Sequence, residues 1–203
     1  MRAVLFFILA MYAIGWSLAH ADALDIKMLP FLSSLQRNLV AKDYEAAGVN
    51  KEKYTLAISP MGAWQSFFSD AIPAEERSAN VLERCEHITK TKCYLAYDNG
   101  KMTNERIPRP SLMRYPTEFD PDKVPFINSK LRQQIKRAYL GLVPDKALYL
   151  NSIGGYGVSY GQDNTDIASK LALENCEGKS AGHKCFLYSI NEKVIFSKDT
   201  KIF

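Results

Sequence analysis

Four cysteines are the residues of this chain that are best suited to chemistry by type and spacing. They form two pairs of similar separation, Cys85 with Cys93 and Cys176 with Cys185. Cysteines placed in this way either form disulfides in an oxidising compartment or bind a metal ion as thiolates. Because four cysteines allow three connectivities, their spacing alone leaves the pairing open.

A metal site would need further ligands, and a histidine lies near each pair. His87 follows Cys85 by two positions, and His183 precedes Cys185 by two. The histidines occupy different places relative to the cysteines, and neither spacing matches a zinc-finger or haem-attachment pattern. We therefore expect no metal and no other cofactor, with both histidines in solvent-exposed loops.

One serine matches the letters of the hydrolase motif Gly-x-Ser-x-Gly, Ser159 between Gly157 and Gly161. That motif needs a strand-to-helix turn in a large, mainly parallel sheet, with an acid and a histidine later in the chain. Ser159 is instead predicted within a short strand, and the later histidine, His183, belongs to a cysteine loop. We predict no catalytic residue and no enzymatic activity. The alternative is a hydrolase that uses Ser159.

Much of the sequence occurs twice, about 95 residues apart. A duplication that keeps cysteines and apolar positions is typical of a repeated structural unit. It favours one disulfide in each copy, Cys85 with Cys93 and Cys176 with Cys185. The recurring patterns are Leu29-Pro30-Phe31-Leu32-x-Ser34-x-x-Arg37 with Val124-Pro125-Phe126-Ile127-x-Ser129-x-x-Arg132, Leu82-Glu83-x-Cys85-Glu86 with Leu173-Glu174-x-Cys176-Glu177, and Cys93-Tyr94-Leu95 with Cys185-Phe186-Leu187.

Local signals in each copy predict the element order α-β-β-α-β-β. In the second copy, capping residues predict one helix over about 129–140 and another that ends near Cys176. In the first copy, Pro73 fits the first turn of a helix that ends at Cys85. Short apolar and aromatic runs after each helix predict two hairpins per copy, and Asn99-Gly100 is the strongest of the turn signals. The predicted fold class is α+β, with two tandem modules. Each module places its helices against a four-stranded antiparallel sheet and contains one disulfide.

Composition and the repeat predict the domain boundaries. Residues 3–18 carry no charge and precede Ala19-His20-Ala21, the small-x-small pattern of a signal-peptidase site. The run is shorter than the roughly 20 residues of a membrane-spanning helix, so cleavage is favoured over a retained anchor. The predicted segments are a signal peptide (1–21), module 1 (22–103), a Pro-rich linker (104–121) and module 2 (122–203).

The charge distribution argues against polyanionic partners. The chain has 26 Lys and Arg against 22 Asp and Glu, a formal net charge of +4. Basic residues are scattered among acidic ones, without the block that a nucleic-acid or anionic-lipid surface needs. We expect no nucleic-acid partner and no membrane span after signal cleavage.

Five polar and aromatic residues are candidates for ligand binding. Arg37 and Arg132 recur in both copies and could bind an anionic group, although pairing within each module explains them equally simply. The aromatic residues Trp64, Tyr156 and Tyr160 would form a stacking surface for a glycan or a protein if they face solvent. Core packing is the alternative for all three.

Glycines, helix alanines and the cysteine pair of the second copy form a motif that resembles a known group. The motif runs Ala147-Leu148-x-Leu150-x-x-x-Gly154 or Gly155, then Gly157-x-x-Tyr160-Gly161, Ala168-x-x-x-Ala172-Leu173-x-x-Cys176 and finally Cys185. It resembles small cysteine-paired αβ modules of exported bacterial proteins that are catalogued as a domain of unknown function, the four-one-eight-nine-like group. The resemblance covers about residues 147–197. It implies an envelope or periplasmic location and transfers no catalytic residue.

These features predict an exported protein, periplasmic or secreted, that binds an envelope protein or a glycan without catalysis. We expect it to be a binding or scaffold protein of the cell envelope. The alternative is an inhibitor or immunity-type protein that blocks a secreted enzyme. A Pro-rich linker that protrudes towards an active site would favour the inhibitor, whereas a continuous exposed aromatic groove would favour the scaffold.

Overall fold

The computed structural model describes residues 23–69, 72–103, 112–140, 143–180 and 182–203. The predicted signal peptide and residues 104–111 of the predicted linker lie outside this range. Short 3-10 turns occur at Ile26–Met28, Gly48–Lys53 and Pro121–Lys123. The helices are α1 (Ser34–Ala46), α2 (Ala74–Thr89), α3 (Ser129–Tyr139) and α4 (Thr165–Glu177), and the strands are β1 (Thr55–Ile58), β2 (Trp64–Phe67), β3 (Tyr94–Asp98), β4 (Lys101–Met102), β5 (Ala147–Leu150), β6 (Tyr156–Ser159), β7 (Phe186–Ile190) and β8 (Lys193–Val194).

The strands form two four-stranded antiparallel sheets. Their orders are β2-β1-β3-β4 in the first sheet and β6-β5-β7-β8 in the second. The register between the two central strands shifts after Leu56 in the first sheet and after Leu148 in the second. Mixed helices with antiparallel sheets confirm the α+β class.

Capping residues begin the helices as the sequence predicts. Ser33 and Gln36 form a capping box at α1, while Asn128 and Asn164 accept backbone N–H groups at the starts of α3 and α4. The predicted end of α2 near Cys85 is wrong, because the helix continues to Thr89. Side chains of its last turn bond to the second half of the chain, as described below, and so stabilise the extension.

One disulfide joins each sheet to the helix that covers it. Cys85 is bonded to Cys93, which links α2 to the start of β3, and Cys176 to Cys185, which links α4 to β7. The pairing is the one that the repeat predicts. Disulfides that close such short loops stabilise a fold by about 2 to 3 kcal/mol in the chain-entropy account.

Helix α4 lies directly on strand β6. A Cβ added to Gly157 would come within 2.1 Å of the Ala172 carbonyl oxygen and 2.3 Å of the Cys176 nitrogen, so only glycine fits there. The helix contributes Ala168 and Ala172 to this contact, and both are buried. In β2 the corresponding residue is Gln65, whose Oε1 accepts a hydrogen bond from Arg84 Nη2 of α2 at 3.2 Å.

Residues 112–121 of the predicted linker lie against the second half of the chain. The Phe119 backbone N–H donates to Glu192 O, and Val194 N–H donates to Thr117 O. The Phe119 ring lies 4.4 Å from that of Tyr139. This part of the segment is therefore packed rather than protruding. No helix in the described part of the chain is long and apolar enough to span a membrane.

Candidate binding surface

The two arginines predicted as anion ligands bond to the backbone at equivalent places. Arg37 of α1 donates from Nη2 to Leu29 O at 3.0 Å. Arg132 of α3 donates from Nε and Nη2 to Val124 O, at 3.2 Å each. In both cases the guanidinium fastens the start of a turn to the helix that follows. This geometry favours the structural interpretation of both residues.

The three candidate aromatic residues are divided between the two sheets. Trp64 begins β2 and Tyr156 begins β6, and each is half-buried against the core of its own sheet. The Tyr156 hydroxyl donates to Gln134 Oε1 at 3.1 Å. Tyr160 follows β6 and is half-exposed. No ring contact joins Trp64 to either tyrosine within the described residues.

The turns fastened by the two arginines have the same unusual backbone. We call residues 29–32 the Phe31 turn and residues 124–127 the Phe126 turn. Each places a phenylalanine after a proline, with a positive φ of 61° for Phe31 and 63° for Phe126. This is the order of a type II turn, whose position of positive φ normally takes glycine because a side chain is strained there. A phenylalanine at both positions indicates that its ring is needed.

Each phenylalanine ring contacts the first aromatic residue of a nearby strand. Phe31 meets Tyr94 of β3 edge to face, with centroids 5.8 Å apart. Phe126 meets Phe186 of β7 in the same way at 6.1 Å. The two turns thus have the same backbone conformation, the same hydrogen bond from an arginine of the following helix, and an aromatic residue of a strand as ring partner.

The Phe126 turn is covered by helix α2. Its Phe126 N–H donates to Glu83 Oε2 at 2.8 Å, and its carbonyl accepts from Asn80 Nδ2 at 2.6 Å. The His87 ring meets the Phe126 ring edge to face at 6.2 Å. At the next helix, Ser129 N–H donates to Glu76 Oε1 at 3.1 Å. Phe126 is fully buried between α2 and the hydrophobic core of the second sheet.

No described helix covers the Phe31 turn in this way. Phe31 is 55% exposed, and no hydrogen bond to its backbone N–H or C=O occurs within the described residues. Three further apolar side chains near this turn are exposed. Two of them, Met28 and Leu35, are close to Phe31 in sequence. The third, Met61, precedes Gly62, where an added Cβ would lie 2.7 Å from the Phe31 carbonyl oxygen. We call this set the Phe31 surface; it comprises Met28, Phe31, Leu35 and Met61. An exposed apolar patch with methionines is typical of protein-binding surfaces.

Burial raises the pKa of Glu83 to about 7. The Phe126 N–H and Arg132 lower this pKa, and Glu86 raises it, but desolvation is the largest effect. The folded protein therefore binds the Glu83 proton more tightly than the unfolded chain does, whose carboxyl titrates near its ordinary value. The contact between α2 and the Phe126 turn is in consequence sensitive to pH.

We expect the free energy of unfolding contributed by Glu83 to be largest below about pH 4.5 and to fall as the pH rises to about 7. Glu83→Gln keeps an oxygen acceptor for the Phe126 N–H and removes the titration. Denaturant unfolding at a series of pH values checks this, because the difference in stability between wild type and variant should change across that window. A constant difference would contradict the burial of an ionisable Glu83.

His87 does not lie in a solvent-exposed loop, and that expectation is wrong. Its Nε2 donates to Thr200 O at 2.7 Å, so Nδ1 accepts from the Tyr115 hydroxyl at 2.9 Å. Burial lowers its pKa, which favours this neutral form. His183 is exposed, as predicted. The described residues contain no cluster of three potential ligands for a metal ion.

Ser159 lies in strand β6, buried and paired with Ala147 of β5. An antiparallel strand lacks the strand-to-helix turn that would present a nucleophile. The Ser159 position thus matches the strand placement predicted from sequence.

A cleft of about 300 Å³ lies at the carboxyl end of α2. Lys90, Lys92 and Lys198 line it together with Glu86 and Tyr115. Three ammonium groups would attract a small anion, but all three lysines are exposed, and solvent screens such charges. The apolar Phe31 surface is the stronger candidate for binding.

No protein-family model, no curated protein and no solved structure matches this chain. The resemblance to the exported cysteine-paired modules consequently stays a prediction. The site must be interpreted from its own geometry.

The sequence did not single out the residues that distinguish the two turns. The sequence presents Phe31 and Phe126 as a repeated pair, but it does not show that one of them is covered. A partial signal was present in α2, where Glu76, Asn80 and Glu83 recur at helical spacing on one side. Such a stripe predicts an exposed polar face, which here is buried against another part of the chain.

Proposed function

We propose that this chain is an exported tandem-repeat protein of the cell envelope that binds a protein partner through its Phe31 surface and performs no catalysis. One observation carries the proposal: Phe126 is fully buried under α2, whereas Phe31, with the same backbone and ring contact, is 55% exposed. The same strained turn is covered in the second half of the chain and open in the first. This difference supports a binding site at the Phe31 turn.

Other observations support the tandem architecture and the export. The sheets share one strand order, and the contact from Arg84 Nη1 to Ser66 O is matched by the contact from Asn175 Nδ2 to Val158 O. Disulfides in both halves fit an oxidising compartment. The methionines of the Phe31 surface favour a protein over a glycan, since glycan sites need polar groups beside their aromatic rings. Nothing in the packed residues 112–121 favours the inhibitor.

The test is capture from an envelope extract, with protein and glycan fractions separated. Phe31→Asp should lower the captured protein roughly tenfold or more, because loss of an aromatic anchor costs an interface about 2 kcal/mol or more. Leu140→Asp, an apolar residue of similar exposure in the second half, is the matched control and should bind like wild type. Equal capture by the Phe31 variant, or capture confined to glycan, would contradict the proposal.

A further inference from the structure

Helices α2 and α4 occupy equivalent places, but among the described residues only α2 has a partner on its outer face. Aligning them on Cys85 and Cys176 places Glu174 of α4 at the position of Glu83. The outer face of α2 covers the Phe126 turn. Helix α4 contacts its own sheet through Ala168 and Ala172 and leaves the opposite face open. The described residues therefore contain one open turn, the Phe31 turn, and one open helix face, on α4. We call α2 and the Phe126 turn the closed pair, because they are in contact within the chain and show how such a face and turn fit together.

The open faces keep one hydrogen-bonding position of the closed pair, that of Glu83 and the Phe126 N–H. Glu174 is exposed, and its carboxylate makes no hydrogen bond or ion pair within the described residues. The Phe31 N–H is equally without an acceptor there. In the closed pair these two positions are Glu83 and Phe126, which are bonded at 2.8 Å.

Side chains around this bond differ between the closed pair and the open faces. In the closed pair, Glu76 of α2 accepts a hydrogen bond from the Ser129 N–H at 3.1 Å. At the corresponding positions, α4 has Ile167, 39% exposed, and α1 has Ser34, which is followed by Leu35, 70% exposed. The open faces are therefore more apolar here than the closed pair is, and exposed apolar side chains are typical of surfaces that bind another protein.

We propose that the partner of the Phe31 surface is a second copy of this chain, which docks the outer face of its α4 on the Phe31 turn. Glu174 of one copy accepts the Phe31 N–H of the next, as Glu83 accepts that of Phe126. The inference rests on the proposed function and names its partner. Because the two surfaces differ, the contact is heterologous, and it continues into a filament or closes into a ring.

The test measures mass by analytical ultracentrifugation on protein expressed from the full-length chain, with its disulfides oxidised. Wild type should exceed the mass of two chains as its concentration rises. Phe31→Asp and Glu174→Lys should each remain at the mass of one chain. An equimolar mixture of these two variants should reach the mass of two chains and stop, because one variant keeps an intact α4 face and the other an intact turn.

Controls separate a lost interface from a lost fold. Leu35→Asp alters a side chain that is 70% exposed and should behave like Phe31→Asp. Glu75→Lys reverses an exposed charge on α2 and should assemble like wild type. Wild type that stays at one chain, a Glu174 variant that assembles normally, or a mixture that stays monomeric would each overturn the inference. If wild type were monomeric but capture still depended on Phe31, the proposed function would stand with a different partner.

Discussion

Phe126→Ala should destabilise the protein by about 3 to 5 kcal/mol, the cost of removing a fully buried aromatic side chain. The ring contacts His87 of α2, Phe186 of β7 and Phe196 near the carboxyl end. Its removal leaves a cavity where both halves of the chain meet. Helix α2 would lose the contact of His87 with the Phe126 ring, one of the contacts that hold it on the second half.

Phe31→Ala is the matched control, and it should cost less than about 1 kcal/mol. Both phenylalanines have a positive φ and an edge-to-face contact with the first aromatic residue of a strand, so backbone strain is similar in the two variants. The difference between them reports the additional burial of Phe126 by α2 and by Phe196. Urea unfolding followed by intrinsic fluorescence measures both free energies. Equal losses would show that α2 does not cover the Phe126 turn.

Gly157→Ala should destabilise the fold by about 3 kcal/mol, the upper end of the usual cost of overpacking. The added methyl group would overlap the backbone of α4 at the Ala172 carbonyl oxygen and the Cys176 nitrogen. Backbone atoms of a helix cannot move aside singly, so α4 must lift from β6. The lift would also displace Cys176 relative to Cys185.

Gly178→Ala provides the comparison on the same helix. An added Cβ there would lie 3.2 Å from Glu174 O, and Gly178 has a helical φ of −61°. Replacing glycine at such a position is neutral or stabilises by about 0.4 to 1 kcal/mol, since it restricts the unfolded chain. Thermal and denaturant unfolding of both variants under oxidising conditions measures the contrast. A Gly157 variant as stable as wild type would mean that α4 does not pack on β6 this closely.

Local features of the fold were predictable because their causes are local. Ser33, Asn128 and Asn164 cap helices through their own neighbouring N–H groups. Asn99-Gly100 forms its hairpin turn through backbone conformations with positive φ at both residues. The cysteine pairing followed from the repeat, since each pair closes a short loop within one copy.

Features that depend on two distant segments were not predictable. His87 was expected in solvent because its histidine ring has no local partner, yet Thr200 O and the Tyr115 hydroxyl bind it. The sequence predicts that helix α2 ends at Cys85, because the bonds that its last turn makes through His87 to Thr200 and Tyr115 join residues far apart in the chain. Arg37 and Arg132 were predicted as possible ligands, whereas their acceptors are backbone carbonyls that sequence does not distinguish.

The sequence by itself determined the elements, the antiparallel pairing within each half and the two disulfides, because capping, alternation and short loops act over a few residues. Only the tertiary structure decided which of two near-identical turns is covered. Burial of Phe126 and exposure of Phe31 arise from the position of α2, which touches one turn and not the other. The free energy of that contact depends on groups brought together from distant parts of the chain, Glu83 and Asn80 from α2 and Phe126 from the turn. The candidate binding surface therefore follows from tertiary packing. It was identified by comparing the Phe31 and Phe126 turns, which are similar in sequence and differ in burial.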